Sequence, residues 1–314
     1  MWILRPAKPL DLADIESLAS RLNVQAPRLP ETTDRFLFVL EDTGHGRIRG
    51  LAGIDASAGH GQPFYNYRRD ALIHACHDLG VSRRIDVLYP SHALTGQSLL
   101  CSLLIEPELR QSHALALLSR ARLLFIAQHR EQFADEVVVE LKGLQTETGE
   151  VPFWDSLGRH FFHMDFEAAD RYSSELSKTF IAELMPPNPI YVTLLTDSAQ
   201  AAIGVSHPLA VKSRDLLHRE GFRESRYIDI FDGGPVLRAQ IDRLETVVSG
   251  LTLVFRPGES AHGLLYLVAS ARDDDFRCVL SPLIEGLDGA AVIPAEMASA
   301  LGICAGDRVQ VAAL

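Results

Sequence analysis

The stretch LLIEPELRQSHALALLSRARLLF, Leu103 to Phe125, decides how this chain is read. Its first residues are strand-like, Pro107 marks a turn, and an amphipathic helix opens on Gln111 or Ser112. A strand that turns into a helix start is the layout of a phosphate-binding cradle, because the first N–H groups of a helix point at the turn. Yet the turn, Arg110 to Leu115, holds no glycine. Upstream, SLLCSLLIEP is apolar on both faces, as a central strand should be. Downstream, the helix continues through RARLLFIAQHREQF and leads to a strand, DEVVVELKGL.

The rest of the chain sets the frame. Its 314 residues are enough for two ordinary domains, or one larger one with an appendage. With 47% apolar and 23% charged residues, a globular protein with a real core is expected. A net charge of -11 argues against nucleic acid and is compatible with a small cationic substrate. The opening MWILRPAKPLDLADIESLA is too short in its apolar part, and too acidic after it, for a signal peptide. No window approaches the ~18 apolar residues of a membrane span. Cys76, Cys101, Cys278 and Cys304 show no metal-ligand spacing, so reduced, mostly buried thiols in a cytoplasmic protein are expected, with no metal.

Along the chain, WILRPA reads as a strand, and Asp11 as the cap of a helix carrying Ile15 and Leu18. FLFVLED and RIRGLAGID bracket the turn TGHG as a hairpin. PFYNYRRDALIHACHDLG fits strand and helix equally. PFWDSLGRHFF is a short helix with an aromatic face, and SRDLLHREGFRESRYIDIFDGGP is a helix stopped at Gly221, a strand and a glycine turn. FWDSLGRHFF and LLHREGFRES look alike and suggest a partial internal duplication, each a helix followed by a strand. After about Leu244 short β-rich runs take over, ending in VIPAEMASALGICAGDRVQVAAL, a strand, a helix, a glycine turn and a strand. This tail resembles a small swapped-hairpin transcription-factor module. It lacks that module's basic residues, so a structural β subdomain is expected. The division expected is 1–244 and 245–314.

The order of strand, turn, long helix, strand and FWxxLGRxFF helix resembles the GCN5-related N-acyltransferase fold. That implies an α+β chain with a mixed sheet flanked by helices. Three further blocks sharpen the resemblance: FYNYRRDALIHA, FIAELMPPNPIYVTLL and YIDIFDGGP. With PFWDSLGRHFFHMDF they are similar to the arginine N-succinyltransferase family, and more closely to its arginine/ornithine succinyltransferase subunits. The resemblance runs through nearly the whole chain. It implies succinyl transfer from succinyl-CoA, a co-substrate, to the α-amine of arginine or ornithine, with no cofactor, and an oligomer with itself or a paralogous subunit.

Aminolysis of a thioester needs a neutral amine, a polarised carbonyl and a proton for the departing thiolate. By resemblance the main chain of Leu103, on the strand before the turn, meets the acyl-CoA; its side chain reads equally well as core. The family's proton donor is a histidine followed by proline, and AAIGVSHPLA places it at His207. Histidine suits the task because it titrates near the working pH. Arginine carries a guanidinium that wants carboxylates and a carboxylate that wants Arg or N–H groups. YIDIFDGGP offers Asp229 and Asp232; YNYRR offers Arg68 and Arg69 beside Tyr65 and Tyr67; Glu183 is a further candidate acid. Each reads equally well as a strand-end cap or a surface charge.

Acyltransferases of this fold carry R/Q-x-x-G-x-G/A in the cradle. Here Arg110 is kept, but the glycine places hold His113 and Leu115, and a large Leu there is expected to point into the cofactor path. Single-subunit relatives carry a His and a Glu near the preceding strand, where this chain has Leu94 and Leu99. The segment after the first helix is also too short for the second helix usual in the fold. Three readings follow: an active enzyme with an altered cradle, a supporting subunit beside a catalytic paralogue, or a binding module for arginine or acyl-CoA.

Overall fold

The computed structural model describes residues 1–30, 32–175, 184–258, 264–271, 275–285 and 289–314. The chain forms a mixed α/β architecture around one continuous sheet. Its strands are β1 (Trp2–Pro6), β2 (Arg35–Asp42), β3 (Arg47–Asp55), β4 (Asn66–Cys76), β5 (Val81–Ser91), β6 (Ser98–Ile105), β7 (Glu136–Glu140), β8 (Ile190–Tyr191), β9 (Arg223–Asp229) and β10 (Pro235–Gln240). In space they run β1-β2-β3-β6-β7-β10-β9-β4-β5-β8. The ambiguous run after Phe64 is therefore a strand, β4, paired with β5 along its full length. Its alternation was hidden because the outer part of this hairpin is exposed on both faces.

The C-terminal strands are β11 (Leu251–Pro257), β12 (Leu264–Ser270), β13 (Cys278–Glu285), β14 (Ala290–Ile293) and β15 (Arg308–Ala313). They pair β12-β15-β11-β14-β13, and β12 also pairs with β13, so the five close into a barrel. Closure removes the edges that such short strands would otherwise expose. β13 also pairs with β1, which joins the barrel to the main sheet.

Helix α1 (Leu12–Arg21) covers one face, with Ile15 and Leu18 fully buried. Asp11 stands at its N-cap but does not bond the helix; its carboxylate takes Arg5 at 2.7 and 2.9 Å and the Lys8 N–H at 2.7 Å. Among the described residues no helix lies between α1 and β2.

Helix α2 (His113–Gln128) departs from its reading as amphipathic. It is buried nearly all round, Arg120 and Arg122 included. One side packs on the sheet, and the side expected to face water is covered by the barrel. Arg120 reaches the Ala313 carbonyl at 2.8 Å and pairs with buried Glu220, and Gln128 donates to Ser270 O at 3.0 Å. Arg122 donates to the carbonyls of Ser119, Gly53 and Cys101, and burial pulls its pKa down to about 10.

The aromatic run splits into α3 (Pro152–Ser156) and α4 (Gly158–Phe162), with Phe153 and Trp154 fully buried. A Cβ on Gly158 would lie 2.3 Å from the Trp154 ring, so this glycine serves close approach. The chain then turns left-handed at His163 and enters α5 (Phe166–Glu175) rather than a strand. The expected echo with the later helix fails here: α7 (Val211–Glu220, after α6, Asp197–Ala202) ends on left-handed Gly221 and does run into a strand. Two thiols also differ from expectation: all four are free, but Cys76 and Cys304 are exposed.

Candidate active site

Strands β6 and β7 are parallel neighbours, but only over Ser98–Leu100 and Val137–Val139. Beyond that pair the two arms separate. On β6, the register with β3 jumps between Leu104↔Leu51 and Cys101↔Gly53, so β6 carries one extra residue. Ser102 takes it up with φ +52, in the left-handed region. Such a bulge bends its strand away from its neighbour. Gly53 permits the bulge: a Cβ there would sit 2.8 Å from Cys101 Sγ. Leu103 lies directly after the turn, half-buried, its side chain against the α2 core. Its side chain is thus part of the core, and its main chain borders the opening.

The other arm continues past β7. Leu141 N–H donates to Pro235 O, and Gly143 bridges Ser206. The His207 N–H donates to Lys142 O at 2.8 Å. Asp232 holds this arm in place. Its Oδ2 accepts from the Gly143 N–H at 2.7 Å and its Oδ1 from the Gly234 N–H at 2.8 Å. Burial, and then the neighbouring Asp229, push the Asp232 carboxyl up to about 8. Asp229 in turn accepts from the N–H groups of Phe231 and Asp232 at 2.7 and 2.8 Å. Both side chains thereby build the glycine turn.

His207 is half-buried at the start of a short 3-10 turn, Pro208–Ala210. Its Nδ1 accepts from the Leu209 N–H at 3.0 Å, which leaves the proton of the neutral ring on Nε2. Burial, then Lys142 and Arg110, hold its pKa below the ordinary value. The structure thus brings Arg110, from the cradle, and His207 near one another, with Lys142 as a second cation. Lys142 was missed by sequence reading; a lysine just past a buried strand, in ELKGL, was the available signal.

At the helix start, Ser112 Oγ accepts from the Ala114 N–H at 3.1 Å and donates to Leu109 O. The chain caps one of the N–H groups that a phosphate would use. His113 is exposed. Leu115 is 3% exposed within the core, so it does not point into the cofactor path as expected. The period of the helix carries position 115 onto the sheet side.

Arg68 and Arg69 split between the two faces of β4, as neighbours on a strand must. Arg68 lies over the Tyr89 ring at 5.3 Å, with Asp70 at 3.4 Å. Its cross-strand partner is Tyr227, and Asp229 stands opposite Asn66, so Asn66, Arg68, Tyr227 and Asp229 share a face. Arg69 instead lines a cavity of about 440 Å³ with Arg84 and Arg226. Leu94 and Leu99 are buried with Ala58, Phe64, Val138 and Val236. Tyr67 is buried under its own cluster, its hydroxyl toward Met185. Glu183 lies outside the described residues. Among the described residues no cluster of His, Cys, Asp and Glu suits a metal.

Two family models cover the chain. Residues 29–246 match the arginine N-succinyltransferase beta subunit, and residues 252–313 match its C-terminal domain. The chain belongs to the arginine N-succinyltransferase family. Within the family it is 39% identical to arginine N-succinyltransferase subunit alpha of Pseudomonas aeruginosa, with 100% of both chains covered. It is 38% identical to an arginine N-succinyltransferase of Escherichia coli, covering 100% of this chain and 98% of the relative. The solved structure of arginine/ornithine succinyltransferase subunit AI from P. aeruginosa superposes with a TM-score of 0.90 at 36% identity, covering 100% of this chain and 98% of that one. No helix of the described residues is long and apolar enough to cross a membrane.

Proposed function

We propose that this chain transfers the succinyl group of succinyl-CoA to the α-amine of L-arginine or L-ornithine, in arginine breakdown. The observation that carries the reading is the opening between β6 and β7, with the Leu103 main chain on one arm and His207 anchored to the other. Family membership supplies the chemistry. The parallel pair that splays at a bulge supports a GCN5-related N-acyltransferase-like sheet. The closed barrel supports a unit of its own from about residue 245.

In this reading the thioester lies across the opening with its carbonyl toward the Leu103 main chain. The α-ammonium first gives up a proton to solvent; the neutral amine then attacks the carbonyl carbon, and the tetrahedral intermediate loses a second nitrogen proton to solvent as it expels the thiolate, which takes its proton from His207. His207 meets the sulfur through Nε2. Arg110 and Lys142 draw the polyanionic co-substrate in, and its negative charge offsets the two cations that depress the His207 pKa. Binding thus readies the acid. Asp229 and Asp232 act by shaping the turn, and Arg68 faces the acceptor. No cofactor takes part. The chain acts in the cytoplasm, apart from nucleic acid and membrane, in an oligomer with itself or a paralogous subunit.

A second reading has one observation in its favour. The cradle lacks glycine, and Ser112 occupies one of its N–H groups, as in a supporting subunit with weak activity. CoA release from succinyl-CoA, measured with arginine and with ornithine, tests both. Release by the purified chain, faster with a paralogous subunit, is expected. No release in any combination overturns the enzyme reading.

A further inference from the structure

We propose that Asn66 and Glu140 form the seat of the acceptor's α-ammonium group, with Arg68 taking its α-carboxylate; this rests on the succinyl-transfer reading and deepens it. Asn66 opens β4 and is fully buried. Its Nδ2 donates to Glu140 Oε1 at 2.6 Å. An ionised carboxylate only accepts, so this bond fixes which way the amide points. Asn66 Oδ1 is then turned away from Glu140, and it is buried with no hydrogen-bond partner. Buried carbonyls of this kind are rare in native proteins, and mark a place where a donor from water or ligand belongs.

The chemistry of the seat is that of an ammonium. It presents a carbonyl and a carboxylate, both acceptors, with one negative charge; an ammonium brings donors, no acceptor and one positive charge. Glu140 is only half-buried, so the pair is reached from its side.

Its place suits the reaction. Glu140 directly follows Val139, the last residue of β7 paired with β6. Two residues on, the Lys142 carbonyl anchors His207. The pair thus lies on the arm that joins the apex of the opening to the acid. Strands β9 and β10 stand between β4 and β7, so at a spacing of about 4.8 Å the two backbones would be roughly 14 Å apart on a flat sheet. The 2.6 Å bond nevertheless joins the two side chains across the intervening strands. Arg68 follows Asn66 by two residues on the same face, roughly 7 Å along the strand. Its Nε is buried and also unpartnered. The ammonium and carboxylate of an α-amino acid lie roughly 3 Å apart, so with a hydrogen bond of about 2.8 Å at each end they bridge partners roughly 7 Å apart.

The test is calorimetric titration of L-arginine, and of its decarboxylated analogue agmatine, into the full chain with CoA present. Glu140→Gln keeps an oxygen for the Asn66 amide and removes the charge. It should raise the Kd for arginine at least 10-fold and leave the Kd for CoA unchanged. Agmatine should bind the parent at least 10-fold more weakly than arginine. Should Glu140→Gln fail to fold by circular dichroism, Asn66→Ser carries the same expectation. Equal arginine affinity in parent and variant overturns the proposal. So does a parent that binds CoA but no arginine, since the partner of Asn66 Oδ1 is then water alone. Arginine binding that falls in the variant, from a parent that releases no CoA, upholds the seat and overturns the transfer reading instead.

Discussion

Gly143→Ala puts one methyl group into the joint that positions His207. Gly143 does not sit in the left-handed region, so alanine meets no backbone strain of its own. The obstacle is space. A Cβ would lie 2.5 Å from Asp232 O and 2.7 Å from both Asp232 Cγ and Oδ1, where ordinary contact begins near 3.4 Å. Asp232 must retreat by about 0.7–0.9 Å, which stretches its 2.7 Å bond from the Gly143 N–H to roughly 3.5 Å, past hydrogen-bonding range. A buried bond is lost and a buried N–H is left without a partner, at a cost of about 2–4 kcal/mol. The shift also reaches the Lys142 carbonyl, the adjoining group that holds the His207 N–H. Displacing an acid by a fraction of an ångström costs on the order of 10-fold or more in kcat. Thermal melts and CoA release should therefore show a Tm lower by several degrees and a reduced kcat, with CoA affinity little changed. Gly44→Ala is the control, because its Cβ meets only Asp42 Oδ1 at 3.4 Å. If Gly143→Ala melts and turns over like the Gly44→Ala control, the clamp does not position His207 and the reasoning is wrong.

Three other outcomes are expected. His207→Ala should lower kcat by about 10²–10⁴-fold with little change in KM for succinyl-CoA; steady-state kinetics showing unchanged kcat would leave it a loop residue. Asp232 holds its proton to about pH 8 in the fold but releases it near 3.8 when unfolded, so its stabilisation is complete below 3.8 and is lost as pH rises toward 8. Asp232→Asn does not titrate, so the Tm difference, variant minus parent, should grow more positive from about pH 5 to pH 9; a flat difference refutes the buried, protonated carboxyl. His113→Gly, on an exposed first-turn position, should raise CoA affinity with at most about 1 kcal/mol of destabilisation, whereas Leu115→Gly removes a core side chain and should cost about 3–5 kcal/mol; chemical denaturation that finds the two alike would contradict the burial of Leu115.

The order of strand, turn, helix and strand from Ser98 to Glu140 was legible because Pro107 and the change of apolar period mark where each element begins. A histidine followed by proline drew attention to His207, which the structure hangs on the Lys142 carbonyl. What the sequence hid was whatever depends on distant chain. The barrel covers α2, so Arg120 and Arg122, on a helix that reads as amphipathic, are only 8% and 2% exposed. Asn66 and Glu140 are 74 residues apart and meet only in the folded sheet. Neither residue breaks its local pattern, so nothing in YNYRR or EVVVE sets them apart. The arginine pair was visible, but its division between two faces follows only once β4 is known to be a strand.

The placement of glycine carries the argument one step further. The cradle before α2 has none, yet the clamp on the opposite arm is built from three. A Cβ on Gly143, Gly233 or Gly234 would lie 2.5, 2.8 and 2.1 Å from Asp232 O, the Phe153 ring and Leu141 O. Close backbone approach is thus required where His207 is held and not where phosphate would dock. A cradle without glycine can still attract a polyanion through Arg110 and Lys142, since charge acts at a distance where N–H contacts cannot. Charge, however, orients a ligand less sharply than a ring of N–H groups does. The positional accuracy that aminolysis needs must then come from the other arm, through the hydrogen bonds that run from Asp232 to Gly143 and from His207 to Lys142.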